Sequence, residues 1–142
     1  MAINYQSCLQ QQEIKNEHND CSVKALAIAT NEPYIKAHTM MQKMGRKNRK
    51  GCMPHEILAS IKEMGFSYKD CGRLSKTVTT LEAAVSPSKR YICFVRGHVL
   101  AVVNGKIEDW TEGRKYRVQT VIEVLPTKSK NAIRKAKRYP LV

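Results

Sequence analysis

Arg96-Gly97-His98-Val99-Leu100-Ala101-Val102-Val103-Asn104-Gly105-Lys106-Ile107-Glu108-Asp109-Trp110 decides the fold class of this chain. Asn-Gly between two apolar segments is the preferred two-residue hairpin turn, because both turn positions need positive φ. The segment therefore predicts strands over His98–Val103 and Lys106–Trp110. Tyr91–Arg96 before it and Arg117–Leu125 after it read the same way, so a run of consecutive antiparallel strands is expected. In this register Val103 faces Lys106, Leu100 faces Asp109 and His98 faces Thr111. His98 and Asp109 then share one face as diagonal neighbours, with Cβ atoms about 7 Å apart or somewhat less. An imidazole and a carboxylate span that gap, so Asp109 is expected to accept the Nδ1 proton of His98 and fix its tautomer. Trp110 falls on the opposite face, with packing as its expected role.

Upstream the pattern is helical. In Asn19-Asp20-Cys21-Ser22-Val23-Lys24-Ala25-Leu26-Ala27-Ile28-Ala29-Thr30 a helix is expected to begin near Asp20, a cap-type residue, and to end at Asn31. Val23, Leu26, Ala27 and Thr30 recur at the spacing of one buried face. A second helix is expected from about Pro33 to Met44, with Ile35, Met40, Met41 and Met44 as core candidates and His38 on the exposed side. Gly45 stops it. Pro54 opens a third, with Ile57, Leu58, Ile61 and Met64 as its apolar stripe and Gly65 at its C′ position. A short helix at Thr80–Val85 meets the Ser86-Pro87-Ser88 breaker. Residues 1–18 read as polar and irregular. Helices first and sheet last predict an α+β domain over 1–125, with N-terminal helices packed on a C-terminal antiparallel β-sheet. Residues 126–142 read as a basic, flexible tail.

The chain has 142 residues, of which 42% are hydrophobic, enough for the core of one domain. No apolar run approaches the roughly 18 residues of a membrane span. The first residues lack the basic-then-apolar order of a secretory signal, so a cytoplasmic protein without membrane association is expected. Cys8, Cys21, Cys52, Cys71 and Cys93 contain no C-x-x-C pair, so neither a metal site nor another cofactor is suggested, and reduced thiols are expected. Cys93, within Tyr91–Val95, reads as a small buried hydrophobe. Cys8 and Cys71 read as incidental.

Much of the net charge of +13 lies in Lys43–Lys50 and Lys128–Arg138. These runs suit an acidic protein surface or nucleic acid, with Arg46, Lys47, Arg49 and Lys50 as candidate binding residues. The plainer alternative is a solvated loop and tail. A dedicated nucleic-acid binder is disfavoured, because aromatics make up only 6% of the chain and do not interleave with the basic runs.

Cys21 carries the chemistry. A thiol at a helix start sits at the positive end of the dipole, which favours the nucleophilic thiolate. With His98 as base and Asp109 orienting it, Cys21 is placed to attack an amide, isopeptide or thioester carbonyl. The developing oxyanion needs donors. The Cys21 backbone N–H is one, and a side-chain amide upstream is the other, with Asn16 first and Gln12 and Asn19 behind it.

Asp-Cys-Ser-Val-Lys-Ala-Leu-Ala followed by Gly-His-Val-Leu-Ala-Val-Val-Asn-Gly-Lys-Ile-Glu-Asp-Trp resembles papain-like cysteine peptidases, especially the compact bacteriocin-leader peptidases. It is similar also to small phage-encoded proteins sharing Asn-Asp-Cys-x-Val-x-Ala-Leu-Ala and Arg-Gly-His-Val-x-Ala-Val. The resemblance spans about Asn16 to Val124. It implies a papain-like fold, a Cys21–His98–Asp109 triad, a protein or peptide substrate and, for a phage product, action on a target in the host cytoplasm. The glutamine that papain-like enzymes place several residues before the cysteine has no counterpart among Lys15, Asn16, Glu17 and His18, and Ser22 stands where a glycine is usual. The alternative is a catalytically degenerate papain-like scaffold acting as a basic binding or inhibitor protein, reached through the basic loop and tail.

Overall fold

A computed structural model describes residues 3–126. The expected basic tail from Thr127 onward lies outside them. In chain order the elements are α1 (Tyr5–Ile14), α2 (Cys21–Thr30), α3 (Tyr34–Lys43), α4 (Pro54–Glu63), β1 (Phe66–Asp70), α5 (Val78–Ala84), β2 (Arg90–Val95), β3 (His98–Val103), β4 (Lys106–Glu108) and β5 (Val118–Pro126). The sheet order is β1-β5-β2-β3-β4, and every neighbouring pair is antiparallel. The architecture is α+β. No helix among the described residues is long and apolar enough to cross a membrane.

α2 is the axis of the helical layer. Every residue from Ser22 to Thr30 is buried, so the helix is enclosed on all sides rather than along the single stripe expected. Its composition explains this: a helix apolar all round finds partners all round. It packs against α1, α3 and α4 and across β2 and β3. Asn31 ends it in the left-handed region, φ 55°. Arg90 on β2 donates from Nε to the carbonyl of Ala29 (2.9 Å) and from Nη2 to that of Ile28 (2.7 Å). A guanidinium thus adds donors to carbonyls at the negative end of α2 and ties that helix to the sheet.

The helices cover one face of the sheet. Leu26, Ile28, Met41, Ile57 and Ile61 meet Ile92, Ala101 and Ile122 there. The other face is covered by α5, whose Val78 and Leu81 pack on Cys93, Leu100, Val102 and Val121. Cys93 is buried as expected, and Cys8 is also fully buried as a core side chain rather than an incidental one. The turn at Asn104 (φ 57°) and Gly105 (φ 75°) has both residues left-handed, and Val103↔Lys106 and Ala101↔Glu108 pair in the expected register.

Several expectations are corrected. The chain before Glu17 is not irregular: Asn4 caps α1, its Oδ1 accepting from Ser7 N (2.9 Å) while Ser7 Oγ accepts from Asn4 N (3.1 Å). β1 was not expected at all. β4 stops at Glu108 instead of Trp110, after which the chain turns. β5 does not follow β4 in space; it crosses back to lie between β1 and β2 and runs through Pro126. On α3, Ile35 is exposed and His38 is buried, the reverse of the expected faces.

Candidate active site

Cys21 is the first residue of α2. Asp20 occupies the N-cap position, but its side chain does not cap the helix. The carboxylate is buried and turned sideways: Oδ1 accepts from Gln12 Nε2 (2.9 Å) and faces Lys24 Nζ (3.3 Å), while Oδ2 accepts from Tyr34 Oη (2.6 Å). Three elements therefore converge on one side chain and fix where α2, and with it Cys21, begins.

His98 is the first residue of β3. Its Nε2 lies 2.7 Å from Asp109 Oδ2. The same oxygen accepts from Thr111 N (3.1 Å) and Thr111 Oγ1 (2.7 Å), so the carboxylate is aimed before the histidine meets it. The sheet ladder has already ended at Glu108, yet the register carries past it far enough to bring His98 and Asp109 together. The ring nitrogen that Asp109 holds is Nε2, not the expected Nδ1. Nδ1 is then the ring nitrogen that Asp109 does not hold, and Cys21 lines the same two recesses as His98.

Burial alone would push the Cys21 thiol up. The hydrogen bond with His98, one from the Val99 backbone and the His98 charge outweigh it and bring the thiol below its ordinary 9.0. Burial alone would lower His98. Its bonds to Asp109 and Cys21 win, and its pKa rises to about 9. Both shifts favour thiolate beside imidazolium. Burial drives Cys8 and Cys93 the other way, each up to about 12.

Trp110 does not pack on the opposite face. It is half exposed, with its ring 5.2 Å from the His98 ring at 48°. Tyr116 meets its edge at 5.7 Å. The histidine is thereby flanked by a carboxylate on its Nε2 and a tilted indole ring.

Cys21 and His98 open onto two recesses. One, about 460 Å³, runs between α4 and the sheet and is walled by Pro54, Ile57, Leu58, Tyr68, Phe94 and Ile122. The other, also about 460 Å³, is polar and includes Gln12, Asn19, Lys24 and Trp110. Asn16 lines neither recess. It is exposed with φ 52°, and its carbonyl accepts from Arg49 Nε (3.0 Å). Two upstream amides share the second recess with the thiol, that of Asn19 and, from α1, that of Gln12. Asp20 Oδ1 anchors the Gln12 amide nitrogen, and Lys24 Nζ lies 3.5 Å from the Gln12 oxygen.

The basic loop is not the uniform cationic surface expected. Arg46 is buried and forks onto Glu17, with Nη1–Oε2 at 3.0 Å and Nη2–Oε1 at 3.2 Å. Glu17 also takes His38 Nε2 and the Arg49 backbone N–H (2.8 Å). Arg46 thus joins the loop before α2 to the loop before α4 and offers nothing to a partner. Lys47, Arg49 and Lys50 remain exposed. Among the described residues no cluster of three or more His, Cys, Asp or Glu side chains is placed to hold a metal.

Comparison of the chain with protein-family models, with curated proteins and with solved structures finds no match to any of them.

Proposed function

We propose that this protein is a cysteine hydrolase of the papain-like type, acting on an amide, isopeptide or thioester bond of a protein or peptide. One observation carries the reading: Cys21 and His98 line the same two recesses while Asp109 holds the His98 ring, which brings together a nucleophile, a base and an orienting carboxylate. The Cys21 sulfur attacks the carbonyl carbon, forming a C–S bond as the π electrons move to oxygen. The Cys21 N–H and an upstream amide, that of Gln12, serve as donors to that oxyanion. As the tetrahedral species collapses, the bond to the leaving group breaks, and His98 gives its proton to the departing amine or thiolate. Water then loses a proton to His98 and attacks the thioester, releasing the acid and restoring Cys21.

Gln12 supports this reading where the sequence left a gap. The glutamine absent from the Lys15–His18 interval is supplied from one helix earlier. The alternative, a basic binding scaffold, loses support from its own loop, since Arg46 is buried against Glu17.

Iodoacetamide tests the proposal. At neutral pH Cys21 should be alkylated well before Cys52 and Cys71, as read by peptide mass spectrometry. Cys21→Ala should abolish biological activity and cost at most about 2 kcal/mol, since it removes one sulfur at a helix start. Full activity in C21A would sink the hydrolase reading.

A further inference from the structure

A second charged feature lies beside the site, where the basic loop does not reach. Arg73, Arg96, Lys115 and Arg117 line a recess of about 730 Å³ together with Tyr116 and Gln119. They come from four places in the chain: the segment after β1, the β2–β3 turn, and two positions leading into β5. All four are exposed. Among the described residues none has a carboxylate within ion-pair distance. Arg73 is nevertheless held in place, its Nε donating to the Val118 carbonyl at 2.9 Å. Four cations gathered without counter-charges repel one another, so an anion bound among them is attracted by all four. The two-donor edge of an arginine also matches a carboxylate.

The recess adjoins the Cys21 cleft in two ways. Gln119 lines both it and the apolar recess beside Cys21. Tyr116 meets Trp110, which lies against His98. Arg96 stands two residues before His98, so their Cα atoms are at most about 7.6 Å apart. An extended peptide advances about 3.4 Å per residue. A chain crossing Cys21 toward Arg96 would therefore bring a side chain a few residues from the bond attacked up to the guanidinium.

We infer that this recess is a substrate subsite for acidic side chains, so that the preferred substrate joins apolar residues at the Cys21 cleft to glutamate or aspartate a few positions away. The inference rests on the proposed hydrolase reading for its geometry, since it places the acidic residues relative to the thiol. Single-stranded nucleic acid is the less suitable occupant: among the described residues Tyr116 is the one aromatic side chain that lines the recess.

The test uses the full chain and short fluorescent peptides of alanine and leucine. Two carry a pair of glutamates, one before and one after a central Leu-Leu; matched controls carry glutamines. Binding is read by anisotropy, and occupancy of the site by protection of Cys21 from iodoacetamide. One glutamate peptide should bind about tenfold or more tightly than its control, and it should protect Cys21. That ratio should shrink between about 50 and about 500 mM salt. It should fall close to one in R96E/K115E and persist in K36E/K106E, which makes the same charge change elsewhere.

Equal binding of glutamate and glutamine peptides would overturn the inference, as would a preference that survives R96E/K115E. An oligothymidine that binds more tightly than either acidic peptide and is lost in R96E/K115E would assign the recess to nucleic acid instead. The hydrolase reading fails separately: a glutamate preference that depends on Arg96 and Lys115, with Cys21 no faster than Cys71 toward iodoacetamide, supports the acidic recess and removes the enzyme.

Discussion

Cys21 and His98 set each other's protonation, and the direction can be worked out. The thiol is brought below its ordinary value largely by His98, against burial. His98 is raised to about 9. A lowered thiol pKa means thiolate persists at lower pH than in a free cysteine. The alkylation rate of Cys21 should therefore rise with a midpoint below 9.0. In His98→Ala the imidazolium and its hydrogen bond are gone while burial remains, so the midpoint should move up. An unchanged midpoint would mean that His98 does not face the sulfur. Asp109→Asn should be milder in activity than His98→Ala, because Asp109 orients the ring and does not meet the reacting carbon; steady-state rates on any cleaved peptide would separate the two. At this scale the sequence carried much of the site. A cap-type residue before Cys21 and an Asn-Gly hairpin are local signals, and they bring together Cys21, His98 and Asp109. Gln12 was legible only as a candidate ranked behind Asn16, and Trp110 and Thr111 were not legible as site residues. Gln12 arrives through a helix with no apolar stripe, and the tilt of Trp110 onto His98 follows from the ladder ending at Glu108. The Asp-x-Thr spacing of Asp109 and Thr111 was the available signal for a carboxylate fixed by a local turn.

The loops around Cys21 are joined by Glu17. Burial would raise its carboxyl, but Arg46, His38 and the Arg49 N–H hold it down at about 2, against an ordinary 4.5. A depressed acid stabilises the fold above its unfolded pKa and loses that contribution as pH falls through the folded one. Stability should therefore decline between about pH 4.5 and 2, and the slope should flatten in Glu17→Gln. At neutral pH the same change leaves the Arg46 guanidinium buried without its counter-charge, at a cost of about 3 kcal/mol. Urea unfolding at both pH values measures the two effects, and a Glu17→Gln curve that overlays the wild type would show the cluster to be inert. Glu17 did not stand out in the sequence and Arg46 read as an exposed binding residue, because a buried ion pair looks like two surface residues until distant loops meet. α1 was missed for a related reason: only Cys8 of Tyr5–Ile14 is fully buried, and its start signal is the Asn4–Ser7 cap rather than a hydrophobic period. β1 is a short edge strand with half-buried and exposed side chains, so alternation had nothing to mark.

For the molecule as a whole, the sheet divides two cores with different duties. The hairpin predicted an antiparallel sheet, and the early periodicity predicted helices beside it. The order of strands was not available, since β5 reaches its place between β1 and β2 through contacts far apart in sequence, and only its burial on both faces hints at a central position. Leu26 lies in the core shared by α2 and the sheet, and Leu81 in the core under α5; both are fully buried. Truncating either should cost about 2–5 kcal/mol, as buried leucines do. Their effects on Cys21 should differ. α2 carries the thiol, and a cavity at Leu26 lets that helix shift against β3, where His98 sits. Leu26→Ala should thus raise the pH midpoint of Cys21 alkylation as well as lowering stability. Leu81→Ala loosens α5 on the far face and should leave that midpoint in place at comparable loss of stability. Measuring both variants at a temperature where each is fully folded separates the two effects. An equal shift in both midpoints would mean that the thiol–imidazole geometry follows overall stability, and that the two faces of the sheet do not act independently on the site.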